Sequence, residues 1–187
     1  MEYTRAFEKN AKVFSGGMDK VQIIDFYNMW DDYEKDLQHY YNGPAYAAEA
    51  IDRSFPSNKD KVLILDVAAG TGLVGEELLK RGFKELHALD PSESMLIKAK
   101  KKNVYKKFLC EFVNPEPSPT IENGGMIVVV MREEYLHIPE YSDSLEPLMK
   151  QLQNEGLWMC IEKSVVHKYF CDKHGVIFRY RVLHRHL

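Results

Sequence analysis

Two acidic residues stand at the ends of apolar segments, and a turn of small residues lies between them in the chain. Asp66 follows the apolar residues 62–65, and Asp90 ends the segment 85–90. In the turn, Gly70 and Gly72 can adopt positive φ and have no Cβ, so a ligand can approach the backbone closely. In nucleoside-binding α/β proteins, a carboxylate about twenty residues after such a turn binds ribose hydroxyls. The spacing therefore predicts a nucleoside site, although a βαβ unit without a ligand would share part of the pattern.

The residues around the two acids predict the elements that hold them. Residues 62–66 have the apolar character of a buried parallel strand, and the helix that starts after the turn is predicted to end at Gly82. Residues 85–90 form a second predicted strand. Ser92 can cap the next helix, which has Glu93 in its first turn. In such a sheet, ligands bind outside the carboxyl ends of the strands, where both acids lie.

Two segments resemble the class I S-adenosylmethionine-dependent methyltransferases: residues 65–72 read LDVAAGTG, and residues 89–96 read LDPSESML. Within that family the sequence is most similar to the methyltransferase-like proteins of the Williams–Beuren syndrome chromosome region. The family loop reads acid-x-Gly-x-Gly-x-Gly, and Ala68 stands at the position of its first Gly. The Pro-Ser-x-x-Met that follows Asp90 favours this family over the dinucleotide-binding dehydrogenases.

The resemblance implies an α/β fold, with a Rossmann-like sheet, helices on both faces and an antiparallel C-terminal strand pair. It also implies S-adenosyl-L-methionine as cofactor and S-adenosyl-L-homocysteine as product. The ribose would bind Asp90, the amino-acid end would lie near Asp66 and Gly70, and Met95 would lie against the adenine. The family reads the adenine amino group at the position of Cys110-Glu111. The implied cofactor-binding set is Asp66, Ala68, Gly70, Gly72, Asp90, Pro91, Ser92, Met95, Cys110 and Glu111, with Tyr27, Trp30 and Tyr33 from an N-terminal lid.

The N-terminal region contains an aromatic stripe at helical spacing, with Tyr27, Trp30, Tyr33 and Tyr41 as its candidate lid residues. Such a stripe is most often the packed face of a helix. The N-terminal helices of the resembling family commonly fold across the cofactor, so both interpretations are open. Residues 45–55 predict a further short helix. We expect an N-terminal arm and helical lid over residues 1–57 and a Rossmann-like cofactor domain over residues 58–187, in one compact domain.

The segment after the second predicted helix departs from the family pattern. A third predicted strand over residues 105–112 leads into a Pro-rich loop, and the chain then reaches Gly124-Gly125 and the apolar residues 126–131. In the family, a fourth strand at the centre of the sheet and a helix come before that Gly-Gly turn. We therefore expect a sheet that lacks one central strand and one helix.

Three explanations of this departure are open. The chain is a shortened isoform in which residues 126–131 move in beside the first strand. Alternatively, residues 126–131 are the fourth strand, with residues 145–154 as its helix and residues 158–166 as the next strand. In the third explanation, a stretch of a longer natural chain is missing. The segment 132–136 resembles the exit of the family's fifth strand, which favours loss of the fourth strand over the second explanation.

The remaining residues complete the expected fold. Residues 141–153 predict a helix ended by Gly156, and residues 158–169 and 176–184 predict an antiparallel pair. Arg132 and Tyr135 at the exit of the preceding strand are the substrate-side candidates. His184 and His186 would share a strand face, but a metal site there lacks a third ligand, so we expect no metal.

Composition indicates an ordinary soluble protein. The 187 residues have a formal charge of −3, which gives no electrostatic reason to expect binding to nucleic acid or to an anionic membrane. Three unpatterned cysteines and the lack of a signal-like or spanning segment favour a cytoplasmic monomer, with a nuclear location left open.

The resemblance predicts methyl transfer to an unidentified acceptor, with a small molecule favoured because no large recognition insert is present. Transfer from a sulfonium carbon is an in-line displacement that needs positioning more than acid–base groups, so no catalytic residue is assigned. The alternative is a cofactor-binding but catalytically degenerate relative, with a regulatory role or no catalytic role. The missing strand is the feature that supports this alternative.

Overall fold

Two three-stranded sheets, one parallel and one antiparallel, contain the strands of this computed structural model, which describes residues 8–9, 11, 18–113 and 124–183. The chain forms two units. The parallel unit comprises Met1–Tyr40 and Phe55–Glu116, and the antiparallel unit comprises Tyr41–Ser54 and Pro117–Leu187. The expected division into a lid over residues 1–57 and a cofactor domain over residues 58–187 stays a prediction.

The sheet of the parallel unit has the strand order β1-β2-β3, with β1 at Leu63–Val67, β2 at Glu85–Leu89 and β3 at Lys107–Leu109. All its neighbours are parallel, as the apolar segments predicted. The prediction of a strand over residues 105–112 is wrong in extent. Since β2 ends at Leu89, the last ladder bond is from the Asp90 N–H to the Leu109 carbonyl, and later residues have no parallel neighbour to pair with.

Four helices belong to the described part of the parallel unit: α1 at Lys20–Asn28, α2 at Tyr33–Leu37, α4 at Leu73–Lys80 and α5 at Glu93–Lys100. As predicted, α4 ends shortly before Gly82 and α5 begins directly after its Ser92 cap. The aromatic stripe does not form one helix, because α1 ends at Met29, whose N–H closes the last turn on Asp25. The core beneath these helices contains fully buried residues from both helices and strands: Leu78, Phe83, Leu86, Ala88, Leu96 and Ala99.

The antiparallel unit has the strand order β4-β6-β5, with β4 at Met126–Arg132, β5 at Trp158–Phe170 and β6 at Lys173–Val182. Its helices are α3 at Gly43–Ser54, α6 at Pro139–Ser142 and α7 at Leu145–Asn154, with a 3-10 turn at Glu133–His137. The helix predicted over residues 141–153 is thus divided in two. The core of the antiparallel unit is formed by Met149, Val176, Phe178 and Tyr180, and the Trp158 ring stacks on that of Tyr180 with centroids 4.2 Å apart.

The pairing of β4 decides between the explanations of the shortened chain. Every residue of β4 pairs antiparallel with β6, and the Gly124 N–H and the Gly125 carbonyl bond to Val182 to fix this register. Among the described strands, β1 pairs only with β2, so the ladders give no support to an arrangement in which β4 pairs with β1. It is not a central fourth strand either, because β5 pairs with β6 and not with β4. The pairing agrees with loss of the strand that the family places beside the first.

Candidate functional site

The turn between β1 and α4 has the backbone conformation that its small residues predict. Ala68, Gly70 and Gly72 have φ values of 60°, 54° and 89°. The Ala69 N–H bonds to the Leu89 carbonyl at 3.2 Å, which attaches the turn to the end of β2. A Cβ added at Gly70 would meet no atom within 4 Å, so open space lies against the backbone there. The turn can therefore admit a ligand at van der Waals distance from its peptide groups.

Asp90 attaches this turn to the segment that follows β2. Its Oδ2 accepts the Gly70 N–H and its Oδ1 accepts the Ser92 N–H, both at 2.8 Å. Burial raises the pKa of Asp90, and the two backbone hydrogen bonds offset part of that rise. Because each carboxylate oxygen has two lone pairs, both oxygens keep the capacity to accept a hydroxyl. Asp90 can therefore still accept hydrogen bonds from a ligand, and its ribose-binding role stays a prediction.

Asp66 at the end of β1 belongs to a second hydrogen-bonded group. Its Oδ2 accepts a 2.5 Å hydrogen bond from the Tyr105 hydroxyl, whose oxygen accepts the Gly75 N–H at 3.1 Å. Burial raises the pKa of Asp66 to about 6, the Tyr105 hydrogen bond opposes that rise, and the charge of Asp90 adds to it. Burial and the charge of Asp66 raise the pKa of Tyr105, so this phenol stays protonated and donates.

Three residues of this region were not predicted as site residues: Tyr105, Gly75 and Thr71. Gly75 and the predicted Gly72 leave room for the Tyr105 ring, because a Cβ at Gly75 would overlap the ring and one at Gly72 would lie 3.0 Å from its Cε2. The Thr71 hydroxyl is buried and has no hydrogen-bond partner in the described part of the chain. The spacing Gly70-x-Gly72-x-x-Gly75 was visible in the sequence, whereas nothing local indicated Tyr105 or the orphaned Thr71 oxygen.

Ser92 caps α5 as predicted, and it also anchors α1. Its Oγ accepts the Met95 N–H at 3.2 Å and donates to Asn28 Oδ1 at 2.7 Å. The Ser94 hydroxyl donates to the Asn28 carbonyl at 3.3 Å. Met95 is buried, and the adenine contact predicted for it stays a prediction. The C-terminal end of α1 is therefore held against the turn that starts at Pro91.

The lid candidates are divided between the two units. Tyr27 stacks on Trp30 with ring centroids 6.3 Å apart, and Tyr33 meets the Trp30 ring edge-on at 5.1 Å. Trp30 is buried, with its indole N–H donating to Asp36 Oδ2 at 2.8 Å. Tyr41 belongs to the antiparallel unit, where it packs on Tyr169. Trp30 is thus a core residue of its aromatic cluster, and the lid role stays a prediction.

The remaining candidates lie after β3 and β4. Cys110 and Glu111 are exposed, and the Cys110 thiol donates to the Pro91 carbonyl at 3.8 Å. Arg132 is buried in the antiparallel unit, where its Nε–H donates to the Tyr135 hydroxyl at 2.9 Å and its Nη1 pairs with Glu134 at 2.7 Å. Arg132 and Tyr135 therefore contact each other, and their acceptor-side role stays a prediction.

The described residues contain no group of three or more His, Cys, Asp or Glu arranged to hold a metal ion. His184 and His186 lie outside the residues that the structure describes. None of the described helices is long and apolar enough to cross a membrane.

The arrangement of β1, a Gly-rich turn, α4 and an acid after β2 is that of a Rossmann-like α/β protein. Comparison with protein families gives a match to a methyltransferase domain over residues 64–156. This match and the similar curated protein described next support the resemblance to the class I S-adenosylmethionine-dependent methyltransferases that the sequence motifs predicted.

A similar curated protein is methyltransferase-like protein 27 of Homo sapiens, which is 28% identical and matches 75% of this chain and 69% of its own length. The alignment has 171 positions but covers only about 140 residues of this 187-residue chain, so about thirty positions have no counterpart here. A strand, a helix and their loops occupy roughly thirty residues. Their number is of the order expected for one strand and one helix with their loops.

Solved structures with a similar fold include two methyltransferases at 13% identity. One is the putative methyltransferase in a complex with the Trm112 activator from Haloferax volcanii, with a TM-score of 0.61 over 87% of this chain and 98% of that one. The other is the glycopeptide N-methyltransferase MtfA with bound S-adenosylmethionine, with a TM-score of 0.53 over 77% of this chain and 96% of that one. These similarities confirm the Rossmann-like methyltransferase fold.

Proposed function

We propose that this chain binds S-adenosyl-L-methionine at the turn between β1 and α4, transfers its methyl group to a small-molecule acceptor and releases S-adenosyl-L-homocysteine. One observation carries the proposal: Asp66 and Asp90 lie beside an open Gly-rich turn, and neither forms an ion pair within the described residues. S-adenosylmethionine has a sulfonium and an ammonium group. Uncompensated carboxylates favour such a cationic ligand over a phosphate-containing one.

Each part of the site has a separate task in this proposal. Asp90 accepts the ribose hydroxyls with its remaining lone pairs, and Gly70 and Gly72 allow close approach of the ligand. Asp66 binds the ammonium of the amino-acid end, and the buried Thr71 hydroxyl in the same turn has no hydrogen-bond partner among the described residues. The bound cofactor supplies an activated methyl group, so the chain needs to supply orientation.

The adenine and lid contacts follow the family pattern. Met95, Cys110 and Glu111 are proposed to line the adenine, with Pro91 and Ser92 forming the turn beneath it. Ser92 and Asn28 hold α1 near this turn, which supports a lid of Tyr27 and Tyr33 over the cofactor, with Trp30 as its packed centre. Arg132 and Tyr135 remain the candidates for the acceptor side.

A binding protein without turnover is the second candidate function. The observation that favours it is that β1 pairs only with β2, and β4 only with β6, among the described strands. The missing strand borders the methyl group in the family, so its loss removes acceptor contacts before it removes cofactor contacts. Activity and binding must therefore be measured separately.

The test begins with calorimetric titration of the chain with S-adenosylmethionine and S-adenosylhomocysteine. We expect micromolar dissociation constants, and a loss of about 100-fold in Asp90→Ala because ribose contacts and the anchor of the turn disappear together. Asp60→Ala, which removes an exposed carboxylate of the same unit, is the control and should bind like the parent. Equal affinities for Asp90→Ala and the parent would contradict the site.

A screen with S-adenosylmethionine labelled in its methyl group then separates the two functions. Transfer of label to a small-molecule acceptor, lost in Asp90→Ala, is the result expected of the enzyme. Cofactor binding without transfer to any acceptor class favours the binding protein.

A further inference from the structure

Tyr105 forms a bridge between two elements of the proposed cofactor site. It lies just before β3, and its hydroxyl donates to Asp66 at the end of β1 while accepting the N–H of Gly75 in the first turn of α4. Asp66 is 39 residues from Tyr105 in sequence, and Gly75 is 30 residues away. The hydroxyl is therefore the group through which β1 and the helix N-terminus are joined.

The Tyr105 ring fits against two glycines, and the N-cap residue of α4 has no side chain that could replace its hydroxyl. Gly72, the N-cap residue of α4, has no side chain to accept the free N–H groups of the first turn. The Tyr105 hydroxyl, from the segment before β3, accepts one of these groups, the Gly75 N–H. The close approach of its ring is possible because Gly72 and Gly75 have no Cβ. A Phe at position 105 would fill the same space but would leave the Gly75 N–H and Asp66 Oδ2 without this partner.

The bridge also determines which carboxylate oxygen of Asp66 is available. Oδ2 is held by Tyr105 at 2.5 Å, whereas Oδ1 accepts no hydrogen bond from a described residue. A carboxylate fixed through one oxygen presents the other in one direction. Rotation of the Asp66 side chain would break the short bond to Tyr105.

We propose that Tyr105 is a positioning residue, which orients Asp66 and the first turn of α4 so that Asp66 Oδ1 receives the ammonium of the cofactor. The inference rests on the proposed function, since it assigns the amino-acid end of S-adenosylmethionine to Asp66. It assigns no contact between Tyr105 and the nucleoside part. Tyr105 should thus affect ligands with the amino-acid end and leave others unaffected.

Two ligands that differ in that end provide the test. S-adenosylhomocysteine has the amino-acid part, and 5′-methylthioadenosine has the same thioether nucleoside without it. In Tyr105→Phe we expect the affinity for S-adenosylhomocysteine to fall about tenfold, as for loss of a hydrogen bond to a charged group, and that for 5′-methylthioadenosine to change less than about twofold. Tyr46→Phe, which removes the 2.7 Å bond to the His167 carbonyl in the antiparallel unit, is the matched control.

A pH series adds a readout that a purely structural role would not move. The groups that face Asp66 and Tyr105 are Asp90 and Glu76, and the Tyr105 bond is the influence that lowers the pKa of Asp66. Without it, Asp66 stays protonated to higher pH. We expect the S-adenosylhomocysteine affinity of Tyr105→Phe to recover toward the parent value between pH 6 and pH 8.

The outcomes separate the inference from the proposed function. Equal loss of both ligands in a folded Tyr105→Phe, or no loss of either, overturns the positioning role while parent binding upholds the cofactor site. A parent chain that binds neither ligand overturns both. If Tyr105→Phe does not fold, Gly75→Ala provides a second route, because its Cβ displaces the Tyr105 ring and should produce the same selective loss.

Discussion

Two acids of the parallel unit and one acid of the antiparallel unit lie in opposite electrostatic environments. In the parallel unit, Asp66 and Asp90 receive hydrogen bonds from a phenol and from backbone N–H groups, and burial raises the pKa of both. In the antiparallel unit, Glu162 pairs with Arg53 and Arg179 at 3.0 and 2.7 Å. Burial acts to raise the pKa of Glu162, but Ser164 and the two arginines outweigh it, and the pKa lies below its usual value.

This difference supports the proposal that Asp66 and Asp90 receive a cationic ligand. A carboxylate that is neutralised by arginine stabilises the fold and gains little from a cationic ligand. A buried carboxylate without an ion pair raises the free energy of the folded protein until a cation arrives. Asp66 and Asp90 thus have the electrostatic character expected of a ligand site, whereas Glu162 belongs to a group of ion pairs that stabilises the fold.

The largest effect on the free energy of unfolding is expected in the core of the antiparallel unit. Phe178 is fully buried in the core of the antiparallel unit, so Phe178→Ala should lower the free energy of unfolding by about 3–5 kcal/mol, measured by urea denaturation. Val165→Ala on the exposed face of β5 is the control and should cost less than about 0.5 kcal/mol. At temperatures where Phe178→Ala is folded, S-adenosylhomocysteine affinity should be unchanged. A large loss of affinity in the folded variant would break the division of roles.

At the proposed site, a substitution is expected to stabilise the fold, by less than the loss of Phe178 destabilises it. Asp66→Asn keeps an oxygen that accepts the Tyr105 bond but removes the buried charge, so it should raise the free energy of unfolding at pH 7.5 by about 1–2 kcal/mol. The folded pKa of about 6 lies above the unfolded value of 3.8, so native Asp66 binds its proton first, and the parent gains stability as pH falls from 6 to 4. The advantage of Asp66→Asn should therefore vanish near pH 4, while its S-adenosylhomocysteine affinity is lost at pH 7.5.

Thermal unfolding across that pH range measures the effect. Asp60→Asn, an exposed change in the same unit, should show no such pH-dependent gain. An Asp66→Asn variant less stable than the parent at pH 7.5 would show that the charge is compensated, contrary to the comparison.

The smallest effect concerns Glu162, where the pH dependence should reverse. Its carboxylate stabilises the fold when ionised, so the contribution is present above the unfolded pKa and is lost as pH falls through the lower folded pKa. Because the pairs are partly exposed, Glu162→Gln should cost only about 0.5 kcal/mol at pH 7.5 and less in high salt. Chemical denaturation at two salt concentrations checks this, with Glu155→Gln as control. If Glu162→Gln stabilised the fold, the charge of Glu162 would be uncompensated, as is proposed for Asp66.

The sequence predicted the parts of the site that local chemistry determines. The apolar runs, the glycines and the Ser92 cap lie within a few residues of the structures they specify, so β1, α4, β2 and α5 were found close to their bounds. Tyr105 was not found because its partners are 30 and 39 residues away, and no local pattern carries that information. The extent of β3 likewise depends on where β2 ends.

The pattern of aromatic residues misled the prediction for a related reason. Tyr27, Trp30 and Tyr33 recur at helical spacing, but they lie on both sides of the break between α1 and α2 and meet in one cluster. Burial of Trp30 against Asp36 is a tertiary contact that outweighs helix continuity. The burial of Arg132 could not be predicted from local sequence either, since the residue lies against Tyr135 and against Phe170, which is much later in the chain.

The chain path through the two units has a consequence for synthesis on the ribosome. Helix α3 is made before β1, yet its Tyr46 and Arg53 bond to His167 and Glu162 of β5, which are synthesised 121 and 109 residues later. Residues 55–116 can pair their strands while α3 still lacks these partners. We expect nascent chains to expose the Ala48 and Ala50 face of α3 until β5 has been synthesised, which makes this helix a candidate for chaperone binding during translation.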